Sequence, residues 1–126
     1  ATALIISNNI IRHTSGSGVN GIAIVNESPP PTDTFINQLT ISGNIIQDCG
    51  GDGIDLYFNG QNDYFLSAVV TNNTILDIGG SDYIYVANVN TGRLKNNTSY
   101  DMSKALTIAG TNVDVQVNLN TTPTVL

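Results

Sequence analysis

Short runs in which apolar residues occupy every second position recur along the whole chain. Leu4 and Ile6, Leu39 and Ile41, Ala68 and Val70, Gly92 and Leu94, and Val115 and Val117 mark five such runs. That period is the signature of a strand with one buried face. The first four runs lead into a polar phrase: Ser7-Asn8-Asn9-Ile10-Ile11, Ser42-Gly43-Asn44-Ile45-Ile46, Thr71-Asn72-Asn73-Thr74-Ile75 and Lys95-Asn96-Asn97-Thr98-Ser99. A second alternation follows in Ile22-Ala23-Ile24, Ile54-Asp55-Leu56, Ile84-Tyr85-Val86 and Leu106-Thr107-Ile108. Its outer positions are apolar and its middle position varies, so the middle residue is expected to face solvent. No stretch sustains a helical period with caps, and no helix beyond a single turn is predicted.

The polar phrase is a repeat. Asn9, Asn44, Asn73 and Asn97 mark it, with a weaker fifth marker at Asn120, at spacings of 35, 29, 24 and 23. A spacing that shrinks toward a floor describes a stacked unit with loops of variable length added at one place. Columns of like residues argue for parallel, in-register stacking, with coils about 4.8 Å apart. The marker Asn is then expected to bond its side-chain amide to the next coil; Asn also tolerates the left-handed geometry of a turn, and both roles are compatible. One domain spanning residues 1–126 is expected, with coils at roughly 3–37, 38–67, 68–91, 92–114 and 115–126.

The phrase I-S-x-N-x-I followed by G-x-G-I-x-L resembles the repeat of right-handed parallel β-helix proteins, a family that includes pectate-lyase-like enzymes, alginate epimerases and phage tailspikes. The resemblance covers residues 3 to 122. It implies an all-β, single-stranded, right-handed parallel β-helix, a solenoid of about four to five coils with three strands in each. In this chain the third strand is legible only in places, at Thr34-Phe35-Ile36 and Phe65-Leu66-Ser67.

Composition narrows the function more than the fold. The apolar fraction is an ordinary 40%, but only 11% of residues are charged, and Asn, Thr, Ser and Gly take the usual place of Lys and Glu. The formal net charge of −6 repels nucleic acid and anionic lipid, which argues against either as a partner. No apolar run reaches the length of a membrane span, so no membrane insertion is expected. The single cysteine, Cys49, allows no internal disulfide and reads as a structural turn residue. A core strand starts directly after Ala1-Thr2-Ala3 with no capping helix, so the chain reads as part of a longer β-helix, or as a part whose ends other subunits cover. Glycosylation-type triplets begin at Asn26, Asn72, Asn96 and Asn120, among others; an Asn- and Thr-rich repeat generates these by chance.

Candidate chemistry gathers after the second alternation. There coil one inserts residues 26–33, including Pro29-Pro30-Pro31, and coil two inserts Asn59-Gly60-Gln61-Asn62-Asp63-Tyr64, whereas coils three and four insert only residues 88–92 and 110–112. All are expected at one corner of the solenoid, as a binding arm or as a shield for a neighbouring coil or subunit. Tyr57, Tyr64, Tyr83 and Tyr85, with Asn59 and Asn62, suit carbohydrate: rings cover the apolar faces of sugars and amides bond hydroxyls. Phe58 and Phe65 read as loop anchors.

Carboxylates also align. Asn20, Asp52, Asp82 and Lys104 each stand two residues before the second alternation, with Asp55 close by. Stacked carboxylates would raise one pKa or recruit a cation, and such a pair fits a retaining glycosidase. Asp52, Asp82 and Asp55 are therefore the candidate catalytic residues, and the competing reading is turn residues splayed into water. A further column, His13, Asp48, Asp77 and Asp101, reads as turn chemistry with a possible His13–Asp48 pair. Gly50-Gly51-Asp52-Gly53-Ile54-Asp55-Leu56-Tyr57 matches a calcium-binding nonapeptide, but a single copy cannot share ions between turns, so no metal and no cofactor is expected. Arg12, His13, Arg93, Lys95 and Lys104 do not complete a lyase constellation.

What the resemblance implies is a polysaccharide-engaging segment of a tailspike-type receptor-binding or depolymerase protein, extracellular or on a virion surface and commonly a homotrimer. Two alternatives stay open: a secreted polysaccharide lyase, hydrolase or epimerase, and a structural solenoid of an adhesin or filament.

Overall fold

The computed structural model describes residues 3–14, 16–26, 38–58, 65–101, 103–110 and 114–121. Coil one contains β1 (Ala3–Ser7), β2 (Ile10–Thr14) and β3 (Ile22–Asn26). Coil two contains β4 (Gln38–Ser42), β5 (Ile45–Cys49) and β6 (Ile54–Phe58). Coil three contains β7 (Phe65–Thr71), β8 (Thr74–Ile78) and β9 (Asp82–Ala87). Coil four contains β10 (Val89–Lys95), β11 (Thr98–Ser99) and β12 (Ala105–Ala109), and β13 (Asp114–Asn118) opens a fifth coil. Every pairing is parallel, and three sheets result: β1-β4-β7-β10-β13, β2-β5-β8-β11 and β3-β6-β9-β12. This is a three-sided parallel β-helix with no helix among the described residues.

The stacking register is the one the repeat predicts. Ile6, Ile41, Val70, Leu94 and Val117 form one column of the first sheet, and Leu4, Leu39, Ala68, Gly92 and Val115 form another. In the middle coils these side chains fill the interior; Ile41 and Val70 are fully buried. Ile22, Ile54, Ile84 and Leu106 stack in the same way on the third sheet. Each fully buried Ile or Leu contributes about 1.5–3 kcal/mol relative to exposure, which is why the apolar period decides the fold.

The strand set differs from the sequence expectation in one respect. The strand hidden from the alternation is the one directly after the marker Asn, β2, β5, β8 and β11, and Phe65 to Ser67 is the start of β7 rather than a third strand. Residues 34–36 lie outside the described residues. The reason is the brevity of the corner. Only Asn8-Asn9, Gly43-Asn44, Asn72-Asn73 or Asn96-Asn97 separates the first strand from the second, so the two merge into one apolar phrase. The left-handed φ of Asn8, Gly43, Asn72 and Asn96, between 57° and 67°, makes that corner. Likewise residues 89–92 are strand rather than loop: Asn88 alone joins β9 to β10. Strands β7 and β10 thus begin at Phe65 and Val89, ahead of the coil boundaries drawn at 68 and 92.

The marker asparagines form a continuous ladder. The backbone N–H and Nδ2 of Asn44 both donate to Asn73 Oδ1 at 3.0 Å, and Asn73 repeats this onto Asn97 Oδ1 at 3.1 and 2.9 Å. Asn9 does the same onto Asn44, and Asn97 onto Asn120. The second Nδ2 proton goes backward, from Asn44 to the Ile6 carbonyl, Asn73 to Ile41, Asn97 to Val70 and Asn120 to Leu94. A polar amide can therefore sit at 0–1% exposure without an unmet hydrogen bond.

Candidate functional site

The third sheet carries the expected face. Its outward column is Ala23, Asp55, Tyr85 and Thr107, and beside it Val25 and Tyr57 stack in a column that continues through the buried Ala87 to Ala109. The middle residue of each triplet faces outward, as the alternation predicts. Preceding the sheet is the Asn20–Asp52–Asp82 column. Together these bound an open groove of about 650 Å³ lined by Asn20, Val25, Asp52, Asp55, Tyr57, Asp82 and Tyr85.

A second side-chain ladder positions the acidic edge. Asn20 Oδ1 accepts the Asp52 N–H at 2.8 Å, and Asp52 Oδ1 accepts the Asp82 N–H at 3.0 Å. Asp82 Oδ1 in turn accepts the Thr107 hydroxyl. This ladder runs opposite to the asparagine ladder: here the donor belongs to the later coil. Asn20 Nδ2 also donates to Asp55 Oδ2 at 2.9 Å, joining the ladder to the middle of the sheet. The three carboxylates share one groove, yet no group of metal-holding side chains forms among the described residues. Asp52 and Asp82 are half-buried scaffold groups as well as groove walls, rather than residues splayed into water.

Two expectations for this column are corrected by a bulge. Asp82 pairs with Ala105 and Ile84 with Leu106, so Tyr83 is an extra residue in β9. Lys104 therefore does not continue the Asp column; its Nζ lies 3.9 Å from Asp101 Oδ2 in the preceding turn. The bulge also turns Tyr83 inward next to Ile84, where it is 4% exposed and part of the core. Tyr83 is not available to a surface ligand, and burial pushes its phenol above the ordinary value.

Tyr57 and Tyr85 do share the groove, with ring centroids 6.5 Å apart and planes tilted by 36°. The Tyr85 phenol is raised, first by burial and then by the neighbouring Tyr57, Asp55, Asp82 and Asp52. Asn59, Asn62 and Tyr64 lie outside the described residues, as do the Phe58 and Phe65 side chains. Val25, absent from the expected set, is 40% exposed and lines the groove one coil before Tyr57. Its position in the column of that tyrosine was the available signal. Compared with known proteins, the chain matches no family model, no curated protein and no solved structure.

The remaining candidates lie elsewhere. His13, Asp48 and Asp77 have left-handed φ of 58°, 58° and 49° but lie inside β2, β5 and β8, one residue before each strand ends, so they bend strands rather than form the expected turns; of this column only Asp101 lies between strands. His13 Nδ1 meets Asp48 Oδ2 at 2.5 Å, both side chains well exposed. Cys49 ends β5 and points into the core at 3% exposure, a packing role. Arg93 pairs with Asp114 at 3.2 Å on the first sheet, on a different wall from the groove. The glycines of the calcium-like nonapeptide have a packing purpose: a Cβ on Gly50 would strike the Gly16 carbonyl of the coil below.

Proposed function

We propose that this chain is a polysaccharide-engaging β-helix segment, of the type found in phage tailspike receptor-binding or depolymerase proteins, acting outside the cell or on a virion surface. The observation that carries the reading is the pairing of Tyr57 and Tyr85 with Asn20 and three aspartates along one open groove. Aromatic faces beside hydrogen-bonding side chains suit the alternating apolar and hydroxyl surfaces of a sugar ring. The groove runs across successive coils, so a polymer laid along it meets an outward side chain about every 4.8 Å. Binding is favoured over cleavage, because Asp52 and Asp82 each commit one carboxylate oxygen to holding the next coil. A homotrimer is part of this proposal, and sedimentation equilibrium checks it.

Saturation-transfer NMR against a panel of soluble bacterial O-polysaccharides and neutral oligosaccharides tests the reading. Tyr57→Ala and Tyr85→Ala are each expected to weaken the bound glycan about five- to tenfold, the worth of one ring contact. Unchanged binding in both variants defeats it.

A further inference from the structure

Building on the glycan-binding reading, we infer that the groove selects sugars bearing a protonated amine, of the 2-amino-sugar class, and rejects uronic and other acidic glycans. The argument starts with the wall. Asp52, Asp55 and Asp82 all line it, and among its described lining residues there is no Lys, Arg or His. Two of the chain's cations are engaged elsewhere. Lys104 leans toward Asp101, and Arg93 bonds Asp114 on the first sheet. A uronate carboxylate entering the groove therefore meets three like charges and no counter-charge, whereas an ammonium meets the opposite.

The aromatic pair reinforces the same selection. The faces of Tyr57 and Tyr85 carry the negative side of the ring quadrupole, which attracts an ammonium as well as covering a sugar ring. The upward push of the aspartates on the Tyr85 phenol records the same negative field at that atom. Asn20 and Val25 at the first-coil end are neutral, so hydroxyl and apolar contacts are also available. Carboxylates, two tilted rings and one amide along a trough make a site for a positively charged, ring-shaped polymer. A compact cation lacks the ring that the tyrosines would cover.

The fold also supplies a clean way to remove the charge. Asn20 occupies the ladder position of Asp52 and Asp82 in the first coil and accepts the same backbone N–H through Oδ1. Asp52→Asn and Asp82→Asn thus keep the acceptor that holds the next coil, and circular dichroism verifies the fold.

Isothermal titration of the whole chain with three hexamers at about pH 5.5 is the experiment, since carboxylates are ionised and sugar amines protonated there. The hexamers are of glucosamine, glucose and galacturonate, and a lysine hexapeptide is the charge control. At low salt the glucosamine hexamer is expected to bind about tenfold more tightly than the glucose hexamer, while the galacturonate hexamer does not bind. Salt at about 0.5 M is expected to erode the preference. Each single Asp→Asn change at Asp52, Asp55 or Asp82 is expected to weaken the glucosamine hexamer about three- to fivefold, with little effect on glucose. Equal binding of glucose and glucosamine, or measurable binding of galacturonate, overturns the charge selection and leaves the glycan reading standing. A lysine hexapeptide that binds as tightly as the glucosamine hexamer overturns the sugar part and leaves a bare cation site. Failure of all three hexamers, with the O-polysaccharide panel also silent, removes both proposals together.

Discussion

The amide of Asn73 is bonded on every side in a space that water does not reach. Truncating it to Ala removes the partner of the Asn44 N–H, of one proton of the Asn44 side-chain amide and of the Ile41 carbonyl. Each buried unsatisfied group costs about 1–3 kcal/mol, so Asn73→Ala is expected to lose about 3 kcal/mol or more in urea unfolding. Asn9→Ala is the contrast: Asn9 is exposed, water replaces its bonds, and a loss of about 1 kcal/mol is expected. Equal losses at the two positions would show that the ladder gains nothing from burial. Leu119 makes a second residue-scale case. It stands where Asn8, Gly43, Asn72 and Asn96 turn the corner, has the same left-handed φ of 57°, and is 69% exposed. A branched side chain in that geometry is strained, and its exposure means little packing is lost on removal. Leu119→Asn is expected to stabilise the last coil by about 0.5–1 kcal/mol, read as a two- to fivefold slowing of β13 amide exchange.

At the scale of elements, corners matter as much as strands. The turn between β11 and β12 is fixed by Asp101, whose Oδ1 accepts the Ser103 N–H at 2.9 Å and the Ser103 hydroxyl at 2.7 Å. These hydrogen bonds, with a smaller contribution from Lys104, hold the Asp101 carboxyl below its ordinary value of 3.8. A carboxyl depressed in the folded state adds stability that is complete above its unfolded pKa and disappears as pH falls through the folded one. The stability difference between the native chain and Asp101→Asn is therefore expected to be constant near neutrality and to shrink below about pH 4. Urea unfolding of both proteins across that range measures it; a difference independent of pH would assign the effect to side-chain shape. The β9 bulge is the other element-scale device. One extra residue moves Tyr83 from the surface to the core and takes Lys104 out of the Asp52–Asp82 column, leaving the groove acidic.

At the scale of the molecule, each coil is stabilised by the coils on either side. Coils two and three have neighbours both above and below, and Ile41, Ile46, Ile54, Leu56, Val70 and Ile84 are buried to 0–1% exposure. Leu4 and Ile6, the inward residues of the first coil, are only half-buried, and Val117, in the same column in the last coil, is 44% exposed. A stack of nearest-neighbour interfaces unfolds from its ends. Hydrogen exchange is expected to protect the amides of β4, β5, β7 and β8 most and those of β1 and β13 least, by tenfold for about every 1.4 kcal/mol of difference. Uniform protection from end to end would mean that the solenoid opens as a single unit. The groove spans coils one to three, so part of it rests on the most stable segment and its Asn20–Val25 end on a weaker one.

Much of this architecture was legible in the chain itself. A two-residue apolar period and a repeated marker Asn are local signals, and parallel stacking turns equal spacing into contact; hence Asn44 bonds Asn73 and Asp52 bonds Asp82. The strands after the marker were not legible, because a two-residue corner leaves no polar gap between one apolar run and the next. Tyr83 was misplaced because alternation assumes an unbroken strand, and a bulge shifts the phase by one residue without changing the pattern's letters. Val25 joined the groove only through stacking on Tyr57, a relation between coils that no local window contains. The order of the residues thus determined which positions face the interior and which coils touch. The path of the backbone at its corners and its bulge decided which outward side chains converge, since convergence depends on register between coils rather than on neighbours along the chain.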